Sequence, residues 1–166
     1  MPIIRLPKSS APPAPDLRFS LMSFIGVVIA IGVTGWLSLI SGTPWLMASF
    51  GASCVLAFGV PDSPLAQPRS IIGGHMVSTL VGLVVLHTLG NEWWACALAV
   101  GLALVSMQQT RTVHAPAGAN PLVVITAGAP WSFLLTPVLA GSLVVVITAL
   151  CLNNARSKGS YPKYWL

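Results

Sequence analysis

The stretch Arg111-Thr112-Val113-His114-Ala115-Pro116-Ala117-Gly118-Ala119-Asn120-Pro121-Leu122-Val123-Val124-Ile125-Thr126-Ala127-Gly128-Ala129-Pro130 decides how this chain is read. Its first half carries an arginine, a histidine, a proline and a glycine, which oppose a regular helix, whereas Pro121 to Ala127 can form about two helical turns. A polar break thus leads into a short apolar helix. In a hydrophobic chain such a segment lines a cavity or lies buried in protein, because unpaired peptide groups cannot be left in hydrocarbon.

Of the 166 residues, 55% are hydrophobic and 7% charged, against roughly 45–50% and about 25% in an average soluble domain. So few charges cannot cover a soluble surface, and the chain is read as an all-α integral membrane protein with the lipid bilayer as its surroundings. The net charge of +5 does not form a nucleic-acid patch: Arg5, Lys8 and Arg18 precede the first apolar run, and Arg156, Lys158 and Lys163 follow the last. The preference of Lys and Arg for the cytoplasmic face puts both termini inside a bacterial inner membrane, so the number of crossings is even. Residues 1–18 read as a disordered cytoplasmic tail without the apolar core of a signal peptide, and residues 154–166 as a second tail. Cys54, Cys96 and Cys151 stand singly in apolar runs and read as buried packing thiols.

Between the tails lies a transmembrane domain, residues 19–153. Phe19 to Ile40, about 22 residues, is long enough to cross, with Gly26, Gly32 and Gly35, together with Thr34 and Ser38, forming a small-residue face. Trp45 to Val60 is shorter and is interrupted by Ser49-Phe50-Gly51-Ala52-Ser53. A proline-punctuated loop, Pro61 to Arg69, precedes a span from Ser70 to Leu89. Gly90-Asn91-Glu92 turns the chain into Trp93 to Met107, and after the opening stretch the last span runs from Trp131 to Leu152, ended by Asn153 and Asn154.

The order helix, broken segment, helix occurs twice, in residues 19–90 and 91–153. Gly51-Ala52-Ser53 recurs as Gly118-Ala119-Asn120; with a two-residue insertion, Gly59-Val60-Pro61 matches Gly128-Ala129-Pro130 and Gln67-Pro68 matches Thr136-Pro137. Two readings are open. If the broken segments cross, six crossings put Arg69, Arg111 and both termini inside; if they are re-entrant, four transmembrane helices put Arg69 and Arg111 outside against the charge bias. With three crossings each, the repeats would be inverted, as in many secondary transporters whose sites lie where interrupted segments meet. Ser53 and Asn120 then read as N-caps of short helices Cys54–Phe58 and Pro121–Ala127, whose positive ends would face a common centre that attracts anions.

Candidate ligands are read from the same segments. Arg111 is either an intramembrane cation or an interfacial arginine that snorkels; Arg69 is either a second cation of the site or a residue that only orients its loop against Asp62. His114 lies between Arg111 and Asn120, and His75 follows a Gly73-Gly74 pair that permits close approach; either ring can donate to an oxyanion. His87 is read as incidental. Three histidines without regular spacing or carboxylates make no metal case, and no cofactor motif is present. The acids Asp16, Asp62 and Glu92 lie in a tail or loops, so hydrolysis, phosphoryl transfer and cation transport lack their usual equipment, and the chain is read as no enzyme.

Phe50-Gly51-Ala52-Ser53, Gly59-Val60-Pro61-Asp62-Ser63-Pro64-Leu65-Ala66-Gln67-Pro68-Arg69, Ile72-Gly73-Gly74-His75 and Thr110-Arg111-Thr112-Val113-His114-Ala115-Pro116-Ala117-Gly118-Ala119 together resemble the signatures of the HPP family of integral membrane proteins. The His-Pro-Pro motif that names it matches His114-Ala115-Pro116, with alanine for the first proline. The resemblance implies nitrite transport, as attributed to some members, and places Arg111, His114 and the Gly118-Ala119-Asn120 turn near the functional region; family descriptions commonly count four transmembrane helices. The expected function is transport, by channel or carrier, of a small inorganic oxyanion, nitrite, through a site of Gly51, Ser53, Arg69, His75, Arg111, His114, Gly118, Ala119 and Asn120. A non-transporting anion sensor or accessory subunit is the other class, and the glycine-rich faces allow a homo-oligomer.

Overall fold

Each apolar run becomes a helix and each Gly, Pro or Asp cluster a turn. The computed structural model describes residues 12–165; the expected tail therefore lies mostly outside the described residues, at 1–11. The helices are α1 (Leu17–Ser41), α2 (Ala48–Gly59), α3 (Pro68–Leu89), α4 (Trp93–Gln109), α5 (Ala115–Ala127) and α6 (Trp131–Arg156), and no strand occurs among the described residues. Asp16 starts α1, its Oδ1 accepting from the Phe19 N–H at 2.6 Å. α1, α3 and α6 are long and apolar enough to cross a membrane; α2, α4 and α5 are shorter.

The chain makes six antiparallel passes through the bundle. α2 begins beside the end of α1, where the Trp45 backbone N–H donates to Ser38 Oγ at 2.7 Å and its indole N–H to Ser41 Oγ at 3.0 Å. It finishes beside the start of α1, where Ser23 Oγ donates to the Phe58 carbonyl at 2.8 Å. Ser23 and Ser38 are separated by about 22 Å of helix at 1.5 Å per residue. α5 likewise begins near Arg69 at the start of α3 and ends near His87, which stacks on Trp131 with ring centroids 5.0 Å apart. Neither short segment turns back on itself, so both connect the two ends of the bundle: the terminus end, which carries Phe19 and Arg156, and the far end.

The two halves pack alike. α1 lies against α6 as α4 lies against α3, and α2 meets the start of α5 between them. α1 buries Gly26, Ala30 and Thr34, and α4 buries Ala95, Ala99, Ala103 and Met107, both at a spacing of four. Of the expected small face of α1, Gly26 and Thr34 are buried, whereas Gly32 faces open space and Gly35 only the tip of Leu46. Cys54 is buried, but Cys151 is exposed on the outside of α6, which corrects the reading of three packing thiols.

Three further local expectations change. Ser49 to Ser53 does not interrupt the first short segment: an α-helix over Ala48–Cys54 widens into a π-helical turn over Val55–Gly59. In α5 the break is a 3-10 turn, Ala115–Ala119, before regular helix from Asn120. α6 does not stop at Asn153 and Asn154, because Asn153 Nδ2 donates to the Ala57 carbonyl at 2.9 Å and the helix runs on to Arg156. The following segment folds back: the buried Tyr161 hydroxyl donates to the Ala66 carbonyl at 2.7 Å, and burial pushes its phenol up, so it stays a donor. Asp62 pairs with Lys163 at 2.9 Å on the surface rather than with Arg69, an exposed pair that adds little stability.

Close approach between α3 and the start of α5 depends on glycine. A Cβ on Gly74 would lie 2.6 Å from His114 Cβ and 2.7 Å from the Thr112 carbonyl oxygen, and one on Gly82 would lie 2.8 Å from Pro121 Cα. Backbone cannot yield as a side chain tip can, and overpacking of this kind costs about 1–3 kcal/mol. Gly74→Ala should lower the thermal midpoint of the detergent-solubilised protein by several degrees. Gly101→Ala on α4, where nothing lies within 4 Å, should leave it unchanged or raise it.

Candidate functional site

Where α2, α3 and α5 meet, five fully buried polar side chains, Ser53, His75, Thr79, His114 and Asn120, bond to one another. Ser53 Oγ, on α2, is 2.8 Å from His75 Nε2 and 2.7 Å from His114 Nε2. On the other edge of the His75 ring, Asn120 Nδ2 lies 2.9 Å from Nδ1 and also donates to Thr79 Oγ1 at 2.8 Å. His114 Nδ1 is 2.7 Å from the Leu65 carbonyl in the loop at the terminus end. Ser78 closes the group by donating to the Ala117 carbonyl at 2.6 Å. Two buried polar atoms beside these bonds have no partner, Ser49 Oγ and Asn120 Oδ1.

The local sequence explains the positions. Ser49 and Ser53 are four apart and share one face of α2; His75, Ser78 and Thr79 are at helical spacing on α3 and share one face there. His114 is delivered by the extended backbone before the 3-10 turn, and Asn120 by the first turn of regular helix after it. The two rings meet edge to face, centroids 5.0 Å apart, and Phe50 packs against His75 at 5.2 Å. Gly51, Gly118 and Ala119 are half-buried and contribute backbone rather than contacts.

The repeat partners Ser53 and Asn120 thus converge, on opposite nitrogens of one imidazole. They do so as side chains within helices and not as N-caps, which corrects the half-helix reading. Ser53 lies inside α2, its hydroxyl also within 2.8 Å of the Ser49 carbonyl one turn earlier. α2 starts at Ala48, at the far end, so its N-terminus does not face the cluster, where only the regular part of α5 begins, at Asn120.

The arginines lie apart from this cluster. Arg111 is exposed and sits in left-handed backbone with φ 57°. It occupies the stop of α4, where the Arg111 N–H bonds to the Gln108 carbonyl and the Thr112 N–H to the Met107 carbonyl, the pair of bonds that closes a Schellman ending. Arg69 Nη2 donates to the Thr110 carbonyl at 2.9 Å and Nε to the Arg111 carbonyl at 3.2 Å. A cation placed on the last carbonyls of a helix satisfies them and complements its dipole.

Ser49, Ser78 and Thr79 belong to the cluster and were not singled out by the sequence. Their signal was present as polar residues three and four positions from His75 and Ser53 on otherwise apolar helices. Among the described residues no three His, Cys, Asp or Glu side chains come together as a metal site. A cavity of about 530 Å³ lies elsewhere, at the far end between Thr43, Pro44, Ala127, Pro130, Phe133 and Thr136, where the two repeats also meet.

The sequence matches the family described as HPP, transmembrane region, over residues 12–162. The chain belongs to the HPP family. Two Dictyostelium discoideum proteins, each named only as a transmembrane protein, are 41% identical to it. One match covers 95% of this chain and 60% of the relative, the other 87% and 49%. The chain therefore spans about half the length of the curated relatives it matches. No solved structure is similar to it.

The left-handed backbone at Arg111 costs a non-glycine residue about 1–2 kcal/mol. Arg111→Gly should therefore raise the thermal midpoint by roughly 2–4 °C. Arg69→Ala should lower it, because two helix-end carbonyls lose their donor.

Proposed function

We propose that this HPP-family protein moves a small inorganic oxyanion, nitrite, across the membrane through the place where its two repeats meet. The observation that carries the reading is the convergence of Ser53 and Asn120, equivalent positions in the repeats, on the two nitrogens of His75. Polar groups inside hydrocarbon are costly and default to function. Here several of them bond to one another, beside two partnerless polar atoms, instead of serving only to satisfy the backbone. The cluster has N–H and O–H donors and no carboxylate, a chemistry suited to an oxyanion. Arg69 and Arg111 add positive charge at the terminus end. Nitrite itself comes from what the family resemblance implies.

The remaining cationic residues support both termini on the cytoplasmic face, with Arg69 and Arg111 beside them. The Dictyostelium relatives are eukaryotic, so family membership does not choose the organelle; the bacterial inner membrane is our assignment. The far-end cavity between the repeats serves as the opposite vestibule. A binding module without flux is the competing class, and no catalytic group argues for an enzyme.

In proteoliposomes the wild-type protein should take up nitrite faster than protein-free vesicles. His75→Ala and Asn120→Leu should each slow uptake at least about tenfold, a barrier of ~1.4 kcal/mol, while eluting as folded protein. Arg111→Ala should have the smaller effect, since its side chain lies outside the cluster. Affinity for nitrite without uptake would favour the binding module. Undiminished uptake in both His75→Ala and Asn120→Leu would remove the site.

A further inference from the structure

The outer partners of the two rings fix their tautomers. The Leu65 carbonyl can only accept, so His114 Nδ1 carries a hydrogen and its Nε2 is bare. Asn120 Nδ2 donates to His75 Nδ1, so that nitrogen is bare and His75 Nε2 carries the hydrogen. Ser53 lies between the two Nε2 atoms; it accepts from His75, and its single hydrogen, which can lie on the Ser49 carbonyl at 2.8 Å, donates to His114 Nε2 at 2.7 Å when the hydroxyl turns to it. One order of bonds results, with every step pointing the same way: His75 Nε2–H to Ser53 Oγ–H to His114 Nε2, and His114 Nδ1–H to Leu65. It leads from the middle of α3 to the loop at the terminus end.

We propose that His75, Ser53 and His114 form a proton relay, and that solute movement through this protein is coupled to proton movement toward the terminus end. The inference rests on the transport reading above for its solute, but the relay is read from the bonds themselves. A proton taken from water binds His75 Nδ1. The His75 Nε2–H bond then breaks as a Ser53 O–H forms, the original Ser53 proton forms a bond to His114 Nε2, and His114 Nδ1 returns its proton to water on the Leu65 side. One proton enters, one leaves, and no electron pair is left over. Both rings end neutral with their tautomers exchanged.

The partners of the exchanged state are also present. His75 would then carry a hydrogen on Nδ1 and need an acceptor, and the partnerless Asn120 Oδ1 supplies one on rotation of the amide. His114 Nδ1 would be bare against the Leu65 carbonyl, so that bond is lost and the loop from Pro61 to Gln67 loses its tie to the cluster. Proton passage is in this way linked to loosening of the loop that covers the terminus end. The titratable or charged groups on the elements around the pair are Cys54 on α2, His87 at the far end of α3, Cys96 on α4, Cys151 and Arg156 on α6, and Asp62, Arg69, Arg111, Tyr161 and Lys163 at the terminus end; the only acid among them, Asp62, is tied to Lys163 on the surface.

Two measurements test this. Nitrogen-15 NMR of the wild-type protein in bilayers at neutral pH should show one of the two buried rings as the Nε2–H tautomer and the other as Nδ1–H; His87→Gln removes the third ring from the spectrum. The same tautomer in both, or a charged ring, would overturn the relay. In vesicles with trapped pH dye and the membrane potential clamped at zero, inward nitrite flux should acidify the lumen beyond protein-free vesicles, by about one proton per nitrite. Ser53→Ala should abolish the protein-dependent acidification and Ser53→Thr, which keeps the hydroxyl, should restore it. Nitrite uptake without protein-dependent acidification, or with acidification intact in Ser53→Ala, would overturn the relay and leave transport standing. Protein-dependent proton flux without nitrite uptake would overturn the nitrite reading and leave the relay standing.

Discussion

Backbone carbonyls that end helices inside an apolar bundle have to be given donors, and this constraint orders the structure. The end of α2 is met by Asn153 on the Ala57 carbonyl and by Ser23 and Arg156 on that of Phe58. The end of α4 is met by Arg69. In the loop before α3, Gln67 donates to the Pro61 and Ser63 carbonyls, Ser70 to Pro64 and Tyr161 to Ala66. Nearly every polar side chain of a sparsely polar chain is committed to one backbone group. Ser53, His75, Thr79, His114 and Asn120 differ in that they form one fully buried group bonded side chain to side chain, which marks them as the candidate site.

The parts of the fold that were legible in the sequence depend on local pattern. Apolar runs, Gly and Pro turns and the distribution of Lys and Arg gave the helices and the repeat, and the register of Gly51-Ala52-Ser53 against Gly118-Ala119-Asn120 identified two residues that meet. What the sequence hid was the use made of each residue. A serine before an apolar run reads as an N-cap, but whether it caps or bonds back to the carbonyl four residues earlier depends on what the tertiary structure offers its hydroxyl. For Ser53 that is two imidazoles. Asn153 reads as a helix stop until the Ala57 carbonyl, far away in sequence, is brought to its amide. An arginine in left-handed backbone has no local signature at all, so the sequence left Arg111 open between an intramembrane ligand and an interfacial arginine at the end of its span, and did not show that its backbone ends α4.

The same constraint explains why residues 157–165 dock instead of trailing. The loop between α2 and α3 contains Pro61, Pro64 and Pro68, which supply carbonyls but no backbone donors. Tyr161, Tyr164 and the Lys163 N–H bring the missing partners from the end of the chain. His114 adds its bond to Leu65 from the opposite side. The loop is thus held between the C-terminal segment and the buried histidines, so its position is tied to the proton positions inside the bundle.

The two-fold likeness of the scaffold makes its one departure informative. α3 and α6 are the third helices of their repeats, yet α3 presents His75, Ser78 and Thr79 to the centre whereas α6 buries Gly141, Ser142, Val145 and Val146 and carries no histidine. The second histidine comes instead from the break before α5, and it too belongs to the terminus end. A symmetric pair of polar lines would offer protons equal access from both faces and would act as a leak. With both rings on one side, the bonded line runs from mid-bundle to the terminus end only, while the far end has a cavity lined largely by small and apolar residues. In the proposed transport cycle the repeated scaffold lets the two halves exchange roles in opening, whereas the unrepeated histidines give the proposed relay its direction.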